Sequence, residues 1–187
     1  EKVTENTDVS ATLYNAYLCG NDYALEQLVK LHGDSLTRFA YCIVRDDDCA
    51  EDVTADTFAT LITKRKKFRG EGKFRTYLYT IARNRAIDYV RKRGRNVPIT
   101  GLENMLSGED GEQSLITADF NASLYRAMQL LPDMYREVLY LSYFNGFTVH
   151  EICHILKKSA KQVYNLLARA RSTLKNILVK EGFAHEN

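Results

Sequence analysis

The stretch TVHEICHILKKSAKQVYNLLARARSTL, residues 148–174, decides the fold of the C-terminal part of this chain. Thr148 is followed three residues later by Glu151, and Ser159 in the same way by Gln162. Each pair has the pattern of a capping box, in which side chains and backbone amides at a helix start satisfy each other reciprocally. A short capped helix, a tight turn and a second, basic helix predict a helix-turn-helix.

The same stretch contains His-Glu-x-x-His at residues 150–154, the ligand and general-base pattern of many zinc proteases. Helical periodicity turns both histidines away from the apolar face, and the capping box gives Glu151 a structural role. A zinc protease also needs a third ligand, for which the downstream sequence offers only Glu181 and His185. We therefore expect no catalytic residue, metal or cofactor, with a zinc hydrolase kept as an alternative.

The second helix of this pair has two faces of different character. Apolar residues recur every three or four positions and predict its buried face, formed by Val163, Leu166, Leu167, Ala170, Leu174 and Ile177. The free face carries mainly polar and basic side chains: Lys161, Tyr164, Asn165, Ala168 and Arg169.

Helical periodicity also dominates the sequence before residue 94. Residues 23–44 predict one or two helices, residues 47–68 another, and residues 73–93 a further one, separated from its predecessor by the glycine-rich loop 69–72. Asp48 and Glu51 predict the cap of the helix in 47–68. The segment 47–68 has apolar residues at Val53, Phe58, Leu61 and Ile62, and the segment 73–93 places Phe74, Tyr77, Leu78, Ile81 and Tyr89 on one stripe.

No segment alternates in the manner of a strand, so the predicted fold class is all-α. Two small helical domains, residues 10–93 and 117–181, are joined by a flexible acidic linker at 94–116, and the second domain holds the helix-turn-helix. No apolar run reaches the ~18 residues that span a membrane. The N-terminal residues are polar and lack the pattern of a signal peptide, and the four cysteines are scattered. These features predict a cytoplasmic protein with reduced thiols and no membrane insertion.

The net charge of +2 conceals an uneven distribution of charge along the chain. Residues 64–95 contain 13 lysines and arginines against 2 acids, and residues 157–180 contain 7 basic residues and no acid. Between them, residues 96–120 contain 5 acids and no basic residue. Two basic blocks separated by an acidic spacer indicate binding to a polyanion at two places.

Two long stretches resemble the sigma factors of bacterial RNA polymerase, in the extracytoplasmic-function group. AEDVTADTFATLITKRKKFRGEGKFRTYLYTIARNRAIDYVRKR, residues 50–93, is similar to region 2 of that family. LPDMYREVLYLSYFNGFTVHEICHIL, residues 131–156, followed by ARARSTL at 168–174, is similar to region 4. The resemblance implies a factor that binds core RNA polymerase, directs it to promoter DNA and helps to open the strands. It also implies an anti-sigma factor as partner.

For region 2 the resemblance implies two surfaces. Asp52 and Asp56 would contact a coiled coil of the polymerase's largest subunit, although Ala55 stands where the family often has Gln. The basic block would hold the opened strand at the minus-ten element, and an aromatic loop would accept an unstacked base. The residues that we assign to DNA in this region are Phe68, Arg69 and Lys73, with Arg83, Asn84 and Arg85 expected at the edge of the duplex. A core role is the alternative for Phe68. Phe74 is expected to be a core residue.

For region 4 the resemblance implies that the second helix of the helix-turn-helix enters the major groove at the minus-thirty-five element. Lys161, Gln162, Tyr164 and Asn165 are expected near bases, and Lys158, Ser159, Arg169 and Arg171 near the DNA backbone. The acids of the linker would either mimic RNA inside the polymerase or form a solvated spacer. A plain helix-turn-helix regulator that acts without polymerase remains the main alternative.

Overall fold

A computed structural model describes residues 8–64, 68, 72–94 and 124–180. All regular elements in these ranges are helices, which confirms the predicted all-α class. They are α1 (Val9–Leu18), α2 (Asp22–Val44), α3 (Asp47–Lys64), α4 (Phe74–Arg93), α5 (residues 124–129), α6 (Asp133–Leu139), α7 (Val149–Leu156) and α8 (Ala160–Lys180). A π-helical turn, Tyr140–Phe144, continues α6.

A sharp turn joins α2 to α3. Arg45 ends α2 in the left-handed region, with φ +56°. Asp46 then accepts a hydrogen bond from the backbone N–H of Cys49 (2.9 Å), so its carboxylate caps α3. The prediction that Asp48 and Glu51 cap this helix is therefore wrong: the helix begins earlier, at Asp47, and uses the preceding aspartate.

The predicted apolar stripes are partly right. In α4, Phe74 and Leu78 are fully buried, whereas Tyr77 and Ile81 are half-buried. In α3, Phe58 and Leu61 are buried, whereas Ile62 is 44% exposed. The buried face of α4 also includes Tyr79 and Ala82, which the predicted stripe leaves out.

The described helices of the two predicted domains share one hydrophobic core. Phe39 of α2 and Leu78 of α4 belong to the same buried cluster as Val138 of α6 and Ile152 of α7. The domain boundaries themselves remain a prediction, and the linker, apart from Gly94, falls outside the described residues. No helix in the described ranges is long and apolar enough to cross a membrane.

Candidate nucleic-acid interface

Both predicted capping boxes are present at the helix-turn-helix. The backbone N–H of Thr148 donates to Glu151 Oε2 (2.8 Å), and the N–H of Glu151 donates to Thr148 Oγ1 (3.3 Å). The N–H of Ser159 donates to Gln162 Oε1 (2.9 Å), and the N–H of Gln162 donates to Ser159 Oγ (3.3 Å). Lys157 makes the turn between the helices with φ +54°. Each capping box thus fixes the start of its own helix, and the N–H of Lys158 donates to the backbone oxygen of Cys153 (3.1 Å) at the turn between them.

The free face of α8 is open, as predicted. Tyr164 is 60% exposed, and Asn165 and Lys161 are exposed beside it. Because the side-chain oxygen of Gln162 already accepts one hydrogen bond in the cap, the N–H groups of its amide are better suited than that oxygen to contact a base. Around this face lie the residues predicted near the DNA backbone: Ser159, Arg169 and Arg171, which are exposed, and Lys158, which is half-buried.

The His-Glu-x-x-His string does not form a metal centre in the described part of the chain. His150 and His154 are exposed, with ring centroids 4.7 Å apart. Glu151 is occupied by its cap and by an ion pair with Lys73 Nζ (3.2 Å). No third potential ligand joins them among the residues that the structure describes. The two candidates of the sequence, Glu181 and His185, lie outside those residues.

An aromatic cluster stands at the loop before α4. Phe74 is completely buried, as expected of a core residue. Phe68 is half-buried and packs edge-on against Phe74, with ring centroids 5.4 Å apart, and lies 6.0 Å from the ring of Tyr77. The exposed part of the Phe68 ring can therefore contact a base while its neighbours hold the side chain. Arg69 falls outside the described residues.

The polar residues of α4 that we assigned to DNA have three different environments. Lys73 is exposed at the helix start and pairs with Glu151. Arg85 is exposed and donates to Thr60 Oγ1 (2.9 Å), while Asn84 is half-buried. Arg83 is only 8% exposed. This last residue thus has no open path to DNA in the arrangement that the structure shows.

Arg83 is held by a buried carboxylate of α6. Its Nε donates to Glu137 Oε1, and its Nη2 lies 3.3 Å from Glu137 Oε2. Burial raises the pKa of Glu137, and the guanidinium of Arg83 acts against that rise. The pair joins α4 to α6 across the contact surface between helices α2 and α4 on one side and residues 133–156 on the other. We call this contact surface the seam.

A second group of bonds crosses the seam at the turn before α7. Arg75 Nη2 donates to the backbone oxygen of Asn145 (2.6 Å), and its guanidinium lies 4.3 Å from the ring centroid of Phe147. Asn145 Nδ2 donates to the hydroxyl of Tyr79 (3.0 Å). The start of α4 is thereby tied to the turn that precedes the helix-turn-helix.

A third cation, Arg136, is completely buried between α6 and α2. Its guanidinium donates to the backbone oxygens of Cys42 (2.7 Å) and Leu131 (3.0 Å), and to Asp133 Oδ1 (2.7 Å). Burial also raises the pKa of the Cys42 thiol to about 12, so this cysteine is an unreactive core residue.

Sequence reasoning missed the residues of the seam: Arg75, Arg136, Glu137 and Asn145. One signal was available, because Arg136 and Glu137 are followed directly by the apolar run 138–141. Charges within a helix that is apolar on several sides need buried partners. Which partners they find depends on how the two halves of the chain pack, and periodicity does not report that.

The face predicted to bind polymerase is open. Asp52 and Asp56 are exposed on α3, four residues apart and on one side of the helix. Ala55, where the family often has Gln, is exposed on the same side. The structure thus leaves both carboxylates accessible to a basic partner surface.

Two family models match consecutive parts of the chain. Residues 28–96 match the family model described as Sigma-70 region 2, and residues 121–174 match Sigma-70, region 4. Similar curated proteins include the ECF RNA polymerase sigma factor SigM of Bacillus subtilis, 29% identical over 152 residues, which are 81% of this chain and 93% of that protein. The RNA polymerase sigma-H factor of Pseudomonas aeruginosa is 25% identical over 85% of this chain and 88% of its own length.

Two solved structures share the fold. CnrH in complex with the cytosolic domain of CnrY has a TM-score of 0.68 and 25% identity, and covers 92% of this chain and 99% of that one. The sigma factor RpoE of Bartonella quintana, in complex with the anti-sigma factor NepR, has a TM-score of 0.66 and 26% identity, with coverages of 82% and 95%.

Proposed function

The chain belongs to the sigma-70 family, and from this premise we propose that it is a promoter-directing transcription initiation factor of the extracytoplasmic-function group. The observation that carries the proposal is the combination of two nucleic-acid surfaces in one chain. One is the open face of a capped helix-turn-helix, and the other is the basic, aromatic segment around α4. A plain helix-turn-helix regulator would need only the first. The action is that of a binding factor, without catalysis of its own.

We assign recognition of the minus-thirty-five duplex to α8. Its N-terminal turns carry Lys161, Tyr164 and Asn165 on the open face, where an inserted helix presents side chains to base edges. Arg169 and Arg171 follow on exposed positions further along the helix and would hold phosphates. Asn165 is the residue best suited to read adenine, because an amide can donate and accept at once.

We assign strand opening at the minus-ten element to the loop and start of α4. Phe68 offers an aromatic surface for an unstacked base, and Lys73 and Arg85 offer exposed positive charge for the strand. Arg83 would join them only after it leaves Glu137. The contribution of Arg83 to strand opening therefore requires the seam to open.

The geometry of promoters gives the same requirement independently. The two elements are named for positions about 25 base pairs apart, which is roughly 85 Å along B-form DNA. We call the arrangement with an intact seam the closed arrangement. In it, Arg75 Nη2 and the backbone oxygen of Asn145 are 2.6 Å apart, so the two DNA-reading parts of the chain are joined directly. Simultaneous contact with both elements requires a separated arrangement, which binding to polymerase would stabilise.

Two partners follow from this function. Core RNA polymerase would bind the acidic face of α3 through Asp52 and Asp56, and would place the action of the chain in the cytoplasm. An anti-sigma factor would be the second partner, because one of the related structures named above is a complex with an anti-sigma factor, NepR.

Transcription from a promoter library tests the proposal. Purified chain and core polymerase are incubated with templates that carry randomised minus-ten and minus-thirty-five elements, and run-off transcripts are sequenced. We expect transcripts that depend on the chain and enrich specific sequences at both elements. The opposite result is a chain that selects specific duplexes without core polymerase and gives no transcript when core polymerase is added. That result would favour a helix-turn-helix regulator that acts without polymerase.

The polymerase face is tested by charge reversal. Asp52→Lys should weaken association with core polymerase and leave binding of duplex DNA by α8 unchanged. Asp34→Lys is a matched control, since Asp34 is also an exposed acid on a helix, but belongs to α2 and not to α3. Equal loss of polymerase binding in the two variants would remove the assignment of α3.

A further inference from the structure

One carboxylate caps two helices that are far apart in sequence. Asp8 Oδ1 accepts hydrogen bonds from the backbone N–H groups of Ser10 (3.1 Å) and Ala11 (3.2 Å) at the start of α1. Asp8 Oδ2 accepts the backbone N–H of Phe74 (2.6 Å), the first residue of α4. A single charged side chain thus satisfies amides at two helix N-termini, where negative charge is favoured.

The bond to Phe74 supplies what α4 lacks locally. The residue that precedes α4, Lys73, makes no side-chain cap. The first amide of the helix is therefore satisfied by a residue 66 positions earlier in the chain. Hydrogen bonds to an ionised acceptor are shorter and stronger than neutral ones, so this contact fixes the first turn of α4 firmly against α1.

A series of aromatic ring contacts extends from α1 to the loop before α4. Tyr14 of α1 is buried and its ring lies 4.9 Å from the ring of Phe74. Phe74 in turn packs against Phe68 at 5.4 Å. Ser10 Oγ also lies 2.8 Å from His32 Nε2, which anchors α1 to α2. Helix α1 is thus a rigid support beneath the aromatic residue that our proposed function assigns to the unstacked base.

We propose that Asp8 is a positioning residue for base capture: its carboxylate fixes the first turn of α4 and, through Phe74, the orientation of Phe68. The inference rests on the proposed function of the loop. Asp8 and all of α1 lie before residue 28, where the match to region 2 begins, so the family match assigns them no role.

Replacement by neutral caps separates the two bonds of Asp8. Asn and Ser are as good as Asp at an N-cap, so Asp8→Asn and Asp8→Ser can keep the cap of α1. Neither offers two carboxylate oxygens, and the bond to Phe74 is lost or weakened. Asp22→Asn is a matched control, because Asp22 is an exposed acid in the first turn of α2.

The readout is discrimination by the holoenzyme between single-stranded minus-ten oligonucleotides. One carries the base preferred in the promoter library, and the other carries an abasic site at that position. We expect the affinity ratio to fall roughly tenfold in both Asp8 variants and to stay unchanged in Asp22→Asn. In the free chain, backbone amide hydrogen exchange measured by NMR should be faster at Phe74 in the Asp8 variants than in the unmodified chain. Exchange at Ala11 should stay slow.

The outcomes separate this inference from the function on which it rests. If the unmodified chain supports no transcription with core polymerase, the proposed function fails. If it transcribes, and the Asp8 variants keep the affinity ratio of the unmodified chain, the positioning role alone is wrong. A fall in overall affinity with an unchanged ratio, accompanied by lower thermal stability, would also overturn it, because a purely structural residue would behave in that way.

Discussion

Arg83 of α4 and Glu137 of α6 form an ion pair that is buried in the seam, with Arg83 Nη2 3.3 Å from Glu137 Oε2. Buried pairs of this kind are sensitive to the loss of one partner, because the remaining charge stays in a poorly solvated place. The closed arrangement therefore depends on both residues. While the pair is intact, Arg83 is not available to contact DNA at the minus-ten element.

Glu137→Ala should open the seam. Removal of one partner from a buried pair costs about 3–5 kcal/mol, which here is a cost to the closed arrangement. Separation of the halves would increase the radius of gyration in small-angle X-ray scattering. Asp88→Ala is the matched control, because Asp88 pairs with Arg91 on the surface at side-chain exposures of 60% and 77%. An unchanged radius of gyration in Glu137→Ala would contradict the role of the pair.

Glu151→Gln should separate capping from the ion pair. Gln can serve at the third position of a capping box, so α7 should keep its helical content in circular dichroism. The pair with the exposed Lys73 should be lost, which weakens the closed arrangement by about 0.2–1 kcal/mol. Thr148→Ala should cost about 1 kcal/mol of stability in urea unfolding, because the cap itself is removed. A larger cost for Glu151→Gln than for Thr148→Ala would reverse this ranking.

Asn165→Ala and Phe68→Ala should fail at different steps. The first should reduce promoter discrimination by about 1–3 kcal/mol and leave a pre-melted template active, because only a duplex contact is lost. The second should keep closed-complex binding and lose strand opening. Permanganate footprinting of unpaired thymines on linear and pre-melted promoters distinguishes them. Equal failure of both variants on the pre-melted template would remove the assignment of opening to the loop.

The stability of the chain should depend on the protonation of His32. The pKa of this histidine is lowered from 6.5 to about 4. The larger cause is burial, and the smaller is the positive charge of the nearby Arg75. Between these values the unfolded chain binds more protons than the folded one, so the free energy of unfolding falls as pH falls from 6.5 to 4. A contribution on the order of 1–3 kcal/mol is expected.

His32→Gln should flatten this dependence in urea unfolding at several pH values. His154→Gln is the control, since His154 is exposed and should leave the slope unchanged. A slope that persists in His32→Gln would place the titrating group elsewhere.

Elemental analysis of the purified chain should find no stoichiometric zinc. His150 and His154 face solvent beside a glutamate whose carboxylate is already hydrogen-bonded in a cap. One zinc per chain that disappears in His150→Ala would reinstate the hydrolase alternative.

Local sequence patterns predicted the helix-turn-helix well and the seam not at all. The capping boxes at Thr148 and Ser159 involve residues three apart, so their sequence spacing specifies the bonds. The exposed face of α8 follows in the same way from helical periodicity.

The bonds of the seam and the bond from Phe74 to Asp8 join residues that are 54–94 positions apart in the sequence. Examples are Arg83–Glu137, Asp8–Phe74 and Arg136–Cys42. No periodicity relates such residues, because their proximity arises only when several helices pack together. The wrong cap of α3 has a smaller cause: three consecutive aspartates, 46–48, lie at the start of the helix, and composition alone does not say which one caps it.

The cap at Thr148 also explains how a protein without a zinc site can acquire the string of a zinc protease. A threonine that caps a helix favours a glutamate three residues later, and histidines suit the solvent face on either side of it. His-Glu-x-x-His then arises from helix-end chemistry with no selection for metal. The mark of such an imitation is a Ser, Thr or Asp two residues before the first histidine. Any chain that carries this longer string deserves a check of its glutamate's hydrogen bonds before it is counted among the metalloproteases.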